Sequence, residues 1–230
     1  MSKFYIDGDI LAYQAIWNSE KEADVRSKIN KSMKSIIESV NSIIHSTDGK
    51  IAIKGNNNFR KEIYADYKGN RKKEMEPLEK ELMEASYKHL IEFWGAVEAH
   101  GMEADDLIAI WNTEEKGVMC SIDKDMLQVP GLHFNFRKNE FTTITEDQGS
   151  YQLHIQMLTG DSTDNIKGLK GIGPVKAKEI MKGVAPADYL TTVRAAWQTH
   201  HGRGWEDELQ LTTDLVYLKR SDTDQYNTGV

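Results

Sequence analysis

Three short apolar runs in this chain lead into acids. "KFYI" (3–6) runs into Asp7-Gly8-Asp9, "AVEAH" (96–100) precedes Glu103, and "GVMCSI" (117–122) stops at Asp123. Runs of this length and content read as buried strands. Helical patterns stand between them. "ILAYQAIW" (10–17) follows the first run, and 22–45 places Ile29, Met33, Ile36, Ile37, Val40, Ile43 and Ile44 on one helical face. Residues 76–94 and 104–116 also read as helices, with Pro77 suited to a first turn. "KIAI" (50–53) adds a strand before the loop Gly55-Asn56-Asn57-Asn58, and 132–136 with 141–145 reads as an edge hairpin. From 146 onward the pattern is mostly helical. Strands alternating with helices predict an α/β sheet with helices on both faces. In such sheets ligands bind beyond the carboxyl ends of the strands, so the acids are expected to gather there.

Four groups of carboxylates stand out. They are Asp7 with Asp9, Glu103-Ala104-Asp105-Asp106, Asp123-Lys124-Asp125, and Asp161 with Asp164. Glu103 and Asp106, three apart, share one side of a helix that begins there, and Asp123 and Asp125 share a face of an extended chain. Taken singly, each group has an ordinary explanation in helix first-turn or strand-end turn chemistry. Taken together they repel and raise one another's pKa unless a cation neutralises them. An all-oxygen donor set suits Mg²⁺ or Mn²⁺ rather than Zn²⁺. The seven histidines are scattered or adjacent, and none has zinc-ligand spacing. The one cysteine, Cys120, excludes an internal disulfide and reads as a buried strand thiol.

The net charge of −7 argues weakly against nucleic acid, but its distribution does not. "FRKEIYADYKGNRKK" (59–73) interleaves Arg60, Lys61, Lys68, Arg71, Lys72 and Lys73 with Phe59, Tyr64 and Tyr67, a pattern suited to a single strand. "GLKGIGPVKAKEIM" (168–181) reads as a glycine turn and then a helix opened by Pro174. Its amides, with Lys170, Lys176 and Lys178, suit phosphate. The N-terminus carries acids inside its apolar run, so no signal peptide is read, and no stretch nears the ~20 apolar residues of a membrane span. A cytoplasmic protein is expected.

These motifs carry a resemblance. "YIDGD", "FRKEIYADYKGNR", "GMEADDLIAIW", "SIDKDMLQ" and "LTGDSTDNIKGLKGIGPVKAKEIM" resemble, in this order, motifs of the phage 5′ nucleases and of the 5′-nuclease domain of bacterial DNA polymerase I. This is the prokaryotic flap endonuclease, or 5′→3′ exonuclease, family. The likeness covers roughly residues 3–182; the last 48 residues carry no such motif. It implies a PIN-like, mainly parallel sheet flanked by helices, a helical arch, and a helix–three-turn–helix DNA-binding region. The expected division is a nuclease core over 1–145, with the arch at about 68–95. A helical region over 146–230 is expected to pack on it, with the helix–three-turn–helix at about 160–183.

By the same resemblance, Asp7, Glu103, Asp105, Asp106 and Asp123 correspond to a first metal cluster, and Asp125, Asp161 and Asp164 to a second. Lys68 and Arg71 match a basic pair that holds the scissile phosphate and stabilises its developing charge. Tyr67 corresponds to a residue stacking on the terminal nucleotide. Arg60, Lys72 and Lys73 belong to the same DNA-binding stretch, and Gly171 and Gly173 to a clamp that can hold K⁺. The implied activity is two-metal, Mg²⁺- or Mn²⁺-dependent hydrolysis near 5′ ends or flaps of DNA in phage or bacterial replication. A monomer without membrane contact is expected, with RNA–DNA hybrids as a further substrate class.

One position departs. Family members place an Asp shortly before the Phe/Trp-Arg pair, where this chain has Gly55. A junction-binding homologue without cleavage is therefore an alternative reading, as is a PIN-type ribonuclease.

Overall fold

The computed structural model describes residues 3–71 and 74–230, so Lys72 and Lys73 lie outside the described residues. The chain begins β1 (Lys3–Asp7), α1 (Gly8–Ile16), α2 (Glu22–Ile44) and β2 (Gly49–Lys54). It continues through α3 (Phe59–Ile63), α4 (Pro77–Trp94), β3 (Val97–Ala99), α5 (Ala104–Glu114) and β4 (Gly117–Cys120). The strands β5 (Gly131–Asn135) and β6 (Glu140–Ile144) follow, then α6 (Glu146–Thr159), β7 (Gly160–Asp161) and β8 (Ile166–Lys167). Three helices complete the order: α7 (Pro174–Ile180), α8 (Tyr189–His201) and α9 (Trp205–Val216).

The chain forms two compact units. The first comprises Met1–Asn58, Lys73–Met126 and Gly131–Thr143; the second comprises Phe59–Lys72, Leu127–Pro130 and Ile144–Val230. The segment from Phe59 therefore goes with the helical unit rather than with the sheet. This differs from a division at 145.

The first unit carries a six-stranded sheet in the order β3-β2-β1-β4-β5-β6. β1 pairs in parallel with β2 and β4, β2 with β3, and β4 with β5. The link from β5 to β6 is too short for a crossover, so β6 returns antiparallel. The sequence-predicted α/β class and parallel sheet stand. Side chains alternate along β1 as the strand period requires. Phe4 and Ile6 join the core made with Leu11 of α1, Ile29, Met33 and Val40 of α2, and Leu82 and Leu90 of α4. Tyr5 turns to the other face, where its ring meets Trp111 of α5 at 5.9 Å.

Burial of that apolar stripe corrects one expectation. α4 packs against α1 and α2, and Leu82, Met83, Ala85 and Leu90 are buried. Residues 77–94 are thus a core helix of the sheet unit rather than a span of a free arch. A Glu76–Glu79 capping box and Pro77 start this helix, and Gly95 in the left-handed region stops it.

In the second unit α6 packs against α7, α8 and α9 around Met157, Leu158, Leu169, Val193, Trp197 and Leu209. The indole of Trp197 donates to the Met157 carbonyl at 3.0 Å. The C-terminal stretch without motifs supplies α8, α9 and a tail tied down by Gln128. That buried side chain donates to the Val216 carbonyl at 2.9 Å and accepts from the Leu218 amide at 2.9 Å.

Arg60 belongs to this scaffold, which corrects its assignment to DNA. It is buried, donating from Nε to the Leu215 carbonyl at 2.8 Å and from Nη2 to the Tyr217 carbonyl at 2.7 Å. The carbonyls at the end of α9 lack intrahelical partners, and a cation there also meets the negative end of the helix dipole. Arg60→Met should therefore cost about 3 kcal/mol by stranding buried acceptors. Thermal or urea denaturation checks this; a melting temperature equal to wild type would refute the capping role.

Candidate active site

β1 and β4 are neighbours, yet the chain leaves β1 towards β2 and returns to β4 from β3, so the topological switch falls between them. Asp7 ends β1, and Ser121 and Asp123 follow β4 directly. Asp7 is buried. Its Oδ1 accepts from the Ile10 amide at 3.2 Å, the first turn of α1, and its Oδ2 from the Ser121 hydroxyl at 3.0 Å. The Asp123 amide in turn donates to the Ser121 Oγ at 3.1 Å, and the Asp125 amide to Asp123 Oδ1 at 2.8 Å. One hydroxyl thus ties the end of β1 to the loop after β4. Ser121 escaped sequence reading because a serine beside an acidic motif has no distinctive spacing.

Asp9 arrives from α1, and Glu103, Asp105 and Asp106 from the start of α5. The Lys54 amide at the end of β2 donates to Asp9 Oδ1 at 3.0 Å, and the Lys54 ammonium lies 4.9 Å from the Tyr87 ring centre. Glu103 and Asp106 form a capping box at the start of α5, each side chain accepting from the other's backbone amide. Asp106 is completely buried in that role, with Oδ2 3.0 Å from the Glu103 amide. The Asn58 side chain donates to Glu103 Oε1 at 3.0 Å.

Asp7 is pushed up to about 7, foremost by burial and then by the charge of Asp9, with Asp123 adding to it. Asp105 is pushed well above the carboxylate range by burial, then by Asp7, Asp123, Glu103 and Asp106. Asp9 is raised by burial and by Glu103, against the Lys54 amide and charge. Asp7, Asp9, Glu103, Asp105, Asp106 and Asp123 therefore form one electrostatic cluster. Among the described residues, no three Asp, Glu, His or Cys side chains stand close enough to grip one ion as placed. The donor chemistry nonetheless fits a hard divalent cation: every candidate ligand is an oxygen, and a cation would relieve the repulsion that drives Asp7 and Asp105 towards protonation.

Gly55 follows β2 directly. A Cβ there would lie 2.2 Å from the Ala99 carbonyl oxygen and 2.9 Å from the His100 ring. The backbones at the ends of β2 and β3 pass too closely for any side chain. The missing acid is thus a packing feature of this chain.

In the second unit, Lys68 and Arg71 come together on Asp164. Arg71 Nη2 pairs with Asp164 Oδ1, and Lys68 Nζ lies 3.6 Å from Oδ2. Tyr67 is buried in the unit's core and donates its hydroxyl to Asp164 Oδ2 at 3.1 Å. Its ring offers no open face for a base, because the short helix α3 and the turn after it fold it inward. Asp161 Oδ1 accepts from the Thr163 amide at 2.7 Å. Past β8, Gly171 takes φ +78°, a turn conformation that disfavours a side chain, and its carbonyl accepts from Lys176 Nζ at 2.9 Å. Gly173 caps α7, and Lys170, Lys176 and Lys178 are exposed.

Comparison with known proteins places this arrangement. The fold is that of the PIN-like nucleases. It matches the phage T5 5′-exonuclease with bound zinc at a TM-score of 0.67 and 21% identity, over 94% of this chain and 89% of that one. It also matches the Rad2 catalytic core in complex with DNA at a TM-score of 0.54 and 16% identity, over 97% and 79%. The family model of the 5′-3′ exonuclease N-terminal resolvase-like domain covers residues 3–154, and the chain belongs to that family. A 5′-3′ exonuclease of Aquifex aeolicus is 30% identical over 69% of this chain and 60% of its own length. Flap endonuclease Xni of Shewanella sp. (strain W3-18-1) is 30% identical over 79% and 75%. DNA polymerase I of Rhizobium leguminosarum is 29% identical over 70% of this chain, which spans 18% of that protein. Among the described residues no helix is long and apolar enough to cross a membrane.

Two outcomes follow from the geometry. Gly55→Ala should lower stability by about 1–3 kcal/mol, because backbone must move to admit the methyl group; unchanged thermal unfolding would contradict the close approach. A carboxyl raised from 3.8 to about 7 favours the folded state when protonated, so its stabilisation is complete below the ordinary value and lost as pH rises to 7. In chelator, the melting temperature should fall between pH 5 and pH 8, and added Mg²⁺ should oppose the fall. A flat profile, measured by differential scanning fluorimetry, would count against the cluster.

Proposed function

We propose that this protein hydrolyses phosphodiester bonds near 5′ ends of DNA, as a 5′→3′ exonuclease or flap endonuclease. The observation that carries the reading is the acid cluster at the switch point of a PIN-like sheet. Asp7, Glu103, Asp105, Asp106 and Asp123 would hold one divalent ion, and Asp125, Asp161 and Asp164 are the candidates for a second. Bound there, Mg²⁺ or Mn²⁺ supplies water of lowered pKa and neutralises charge on the leaving oxygen.

The chain's own groups do the remaining work. The Ile10 amide and Ser121 hydroxyl orient the Asp7 carboxylate, and Asn58 orients Glu103. Lys68 and Arg71 hold the phosphate and stabilise its developing charge. Lys170, Lys176, Lys178 and the amides around Gly171 and Gly173 meet phosphates further along the duplex, where the family also suggests K⁺. Tyr67 supports this machinery from within the core rather than by stacking on a base.

A second reading, junction binding without cleavage, is favoured by Gly55, which leaves one acid fewer near the cluster. Restoring an acid by Gly55→Asp would not test it, because the side chain has no room beside Ala99. Direct cleavage does. With Mg²⁺ or Mn²⁺, a 5′-flap DNA should be cut to products bearing 5′-phosphates, and with chelator left intact. Asp123→Asn should lower the rate by at least about 100-fold. Undiminished cutting by that variant would sink the assignment, and tight flap binding without cutting in either metal would favour the second reading. Matched RNA and RNA–DNA hybrid substrates distinguish a ribonuclease.

A further inference from the structure

The two cations proposed to hold a DNA phosphate already have an anion. The Asp164 side chain is 16% exposed, accepts from Arg71 and Tyr67, and lies 3.6 Å from Lys68 Nζ. Backbone and amide contacts hold the arrangement in register. The Lys68 amide donates to the Asp164 carbonyl at 2.8 Å, Asn70 Nδ2 to the Ser162 carbonyl at 2.7 Å, and Asn165 Nδ2 to the Asp66 carbonyl at 2.8 Å. Lys68 and Asn165 both sit in the left-handed region, at φ +57° and +59°. Asparagine tolerates that region, but a lysine there is uncommon. The turn at 66–71 and the turn at 162–165 are therefore built against each other, with the basic pair aimed at the carboxylate.

We propose that Asp164 is a positioning residue, the internal counter-ion of Lys68 and Arg71, which holds them off nucleic-acid phosphate until another cation takes its carboxylate. This rests on the reading of Lys68 and Arg71 as phosphate-holding groups. A guanidinium pairs with a carboxylate or a phosphate through the same planar donors, so the two anions compete for it. The exchange is accessible because the Arg71 side chain is 50% exposed, and partly exposed pairs are weak. A divalent ion drawing on Asp164 would free both cations. Metal binding and phosphate capture would then be linked, each favouring the other. A carboxylate that merely tied the two turns together would stabilise the fold without any such coupling.

The test is a double-mutant cycle on DNA affinity in excess chelator, where no cleavage occurs. Fluorescence anisotropy would follow a 5′-phosphorylated duplex with a 5′ overhang. The proteins are wild type, Asp164→Asn, Arg71→Gln, the double variant, and Asp66→Asn as a charge control. Asp66 is exposed in the same turn and makes no ion pair among the described residues. Asp164→Asn should bind roughly 5- to 10-fold more tightly and Asp66→Asn within about twofold of wild type. Arg71→Gln should cost about fivefold more affinity in the Asp164→Asn background than in wild type. Asp164→Glu, which keeps the charge, should restore wild-type affinity. An additive cycle, or equal tightening by Asp66→Asn, would overturn the counter-ion role and leave the phosphate role of the pair intact. Arg71→Gln without effect in either background would remove both. Where circular dichroism shows Asp164→Asn unfolded, Asp164→Ser takes its place in the cycle under the same criteria.

Discussion

A carboxylate at the end of a buried central strand must be solvated by the protein itself. Asp7 receives its hydrogen bonds from the first turn of α1 and from the hydroxyl of Ser121, just past β4. The first donor requires a helix to start immediately after β1. The second requires β4 to lie beside β1, which is the pairing that creates the switch in strand order. Satisfying one acid therefore constrains the topology around it. The same enclosure leaves Asp7 crowded by Asp9 and Asp123, and Asp105 by its neighbours, with burial the larger cause in each case. These acids are costly to the fold as they stand, and a cation would relieve that cost.

The second unit handles negative charge in the opposite way. Asp164 is compensated within its own unit by Arg71, Lys68 and a tyrosine hydroxyl. Asp161 is turned to the backbone of the Ser162–Asn165 turn through the Thr163 amide. One unit thus crowds carboxylates against one another, while the other sets Asp164 against Lys68 and Arg71. Glycine and lysine chemistry at Gly171 and Lys176 follows the same rule, the ammonium returning to the carbonyl of the turn it follows.

Much of this was readable in advance. The α/β class, the long α2 and the gathering of acids at the carboxyl ends follow from periodicity and from where the apolar runs stop, while the parallel sheet was implied by the family resemblance. The buried face of α2 includes Ile29, Met33, Ile36 and Val40 as its spacing predicts, while Ile43 remains exposed where the helix runs out. Other roles were not readable. Arg60 and Tyr67 lie in a basic, aromatic stretch that looks like a nucleic-acid surface, yet both are buried, Arg60 where α3 packs against α9 and Tyr67 in the core of the second unit. Asp106 is a helix cap as much as a cluster acid, and α4 is core where an arch was expected. Gln128 and Ser121 carry no local signal at all; their importance comes from which chain ends meet around them.

Local sequence alone determined the periods of the elements, the acids at the strand ends and the membership of the family, because these depend on neighbours within a few residues or on ordered motifs. Only the tertiary structure decided which charges are compensated. Burial and ion pairing depend on residues far apart in the chain: Asp7 with Ser121, Arg60 with Leu215, Arg71 with Asp164. An aspartate before a glycine turn reads the same whether it faces a cation of its own chain or none. In this protein folding sets that difference, by laying the turn at 66–71 against the turn at 162–165.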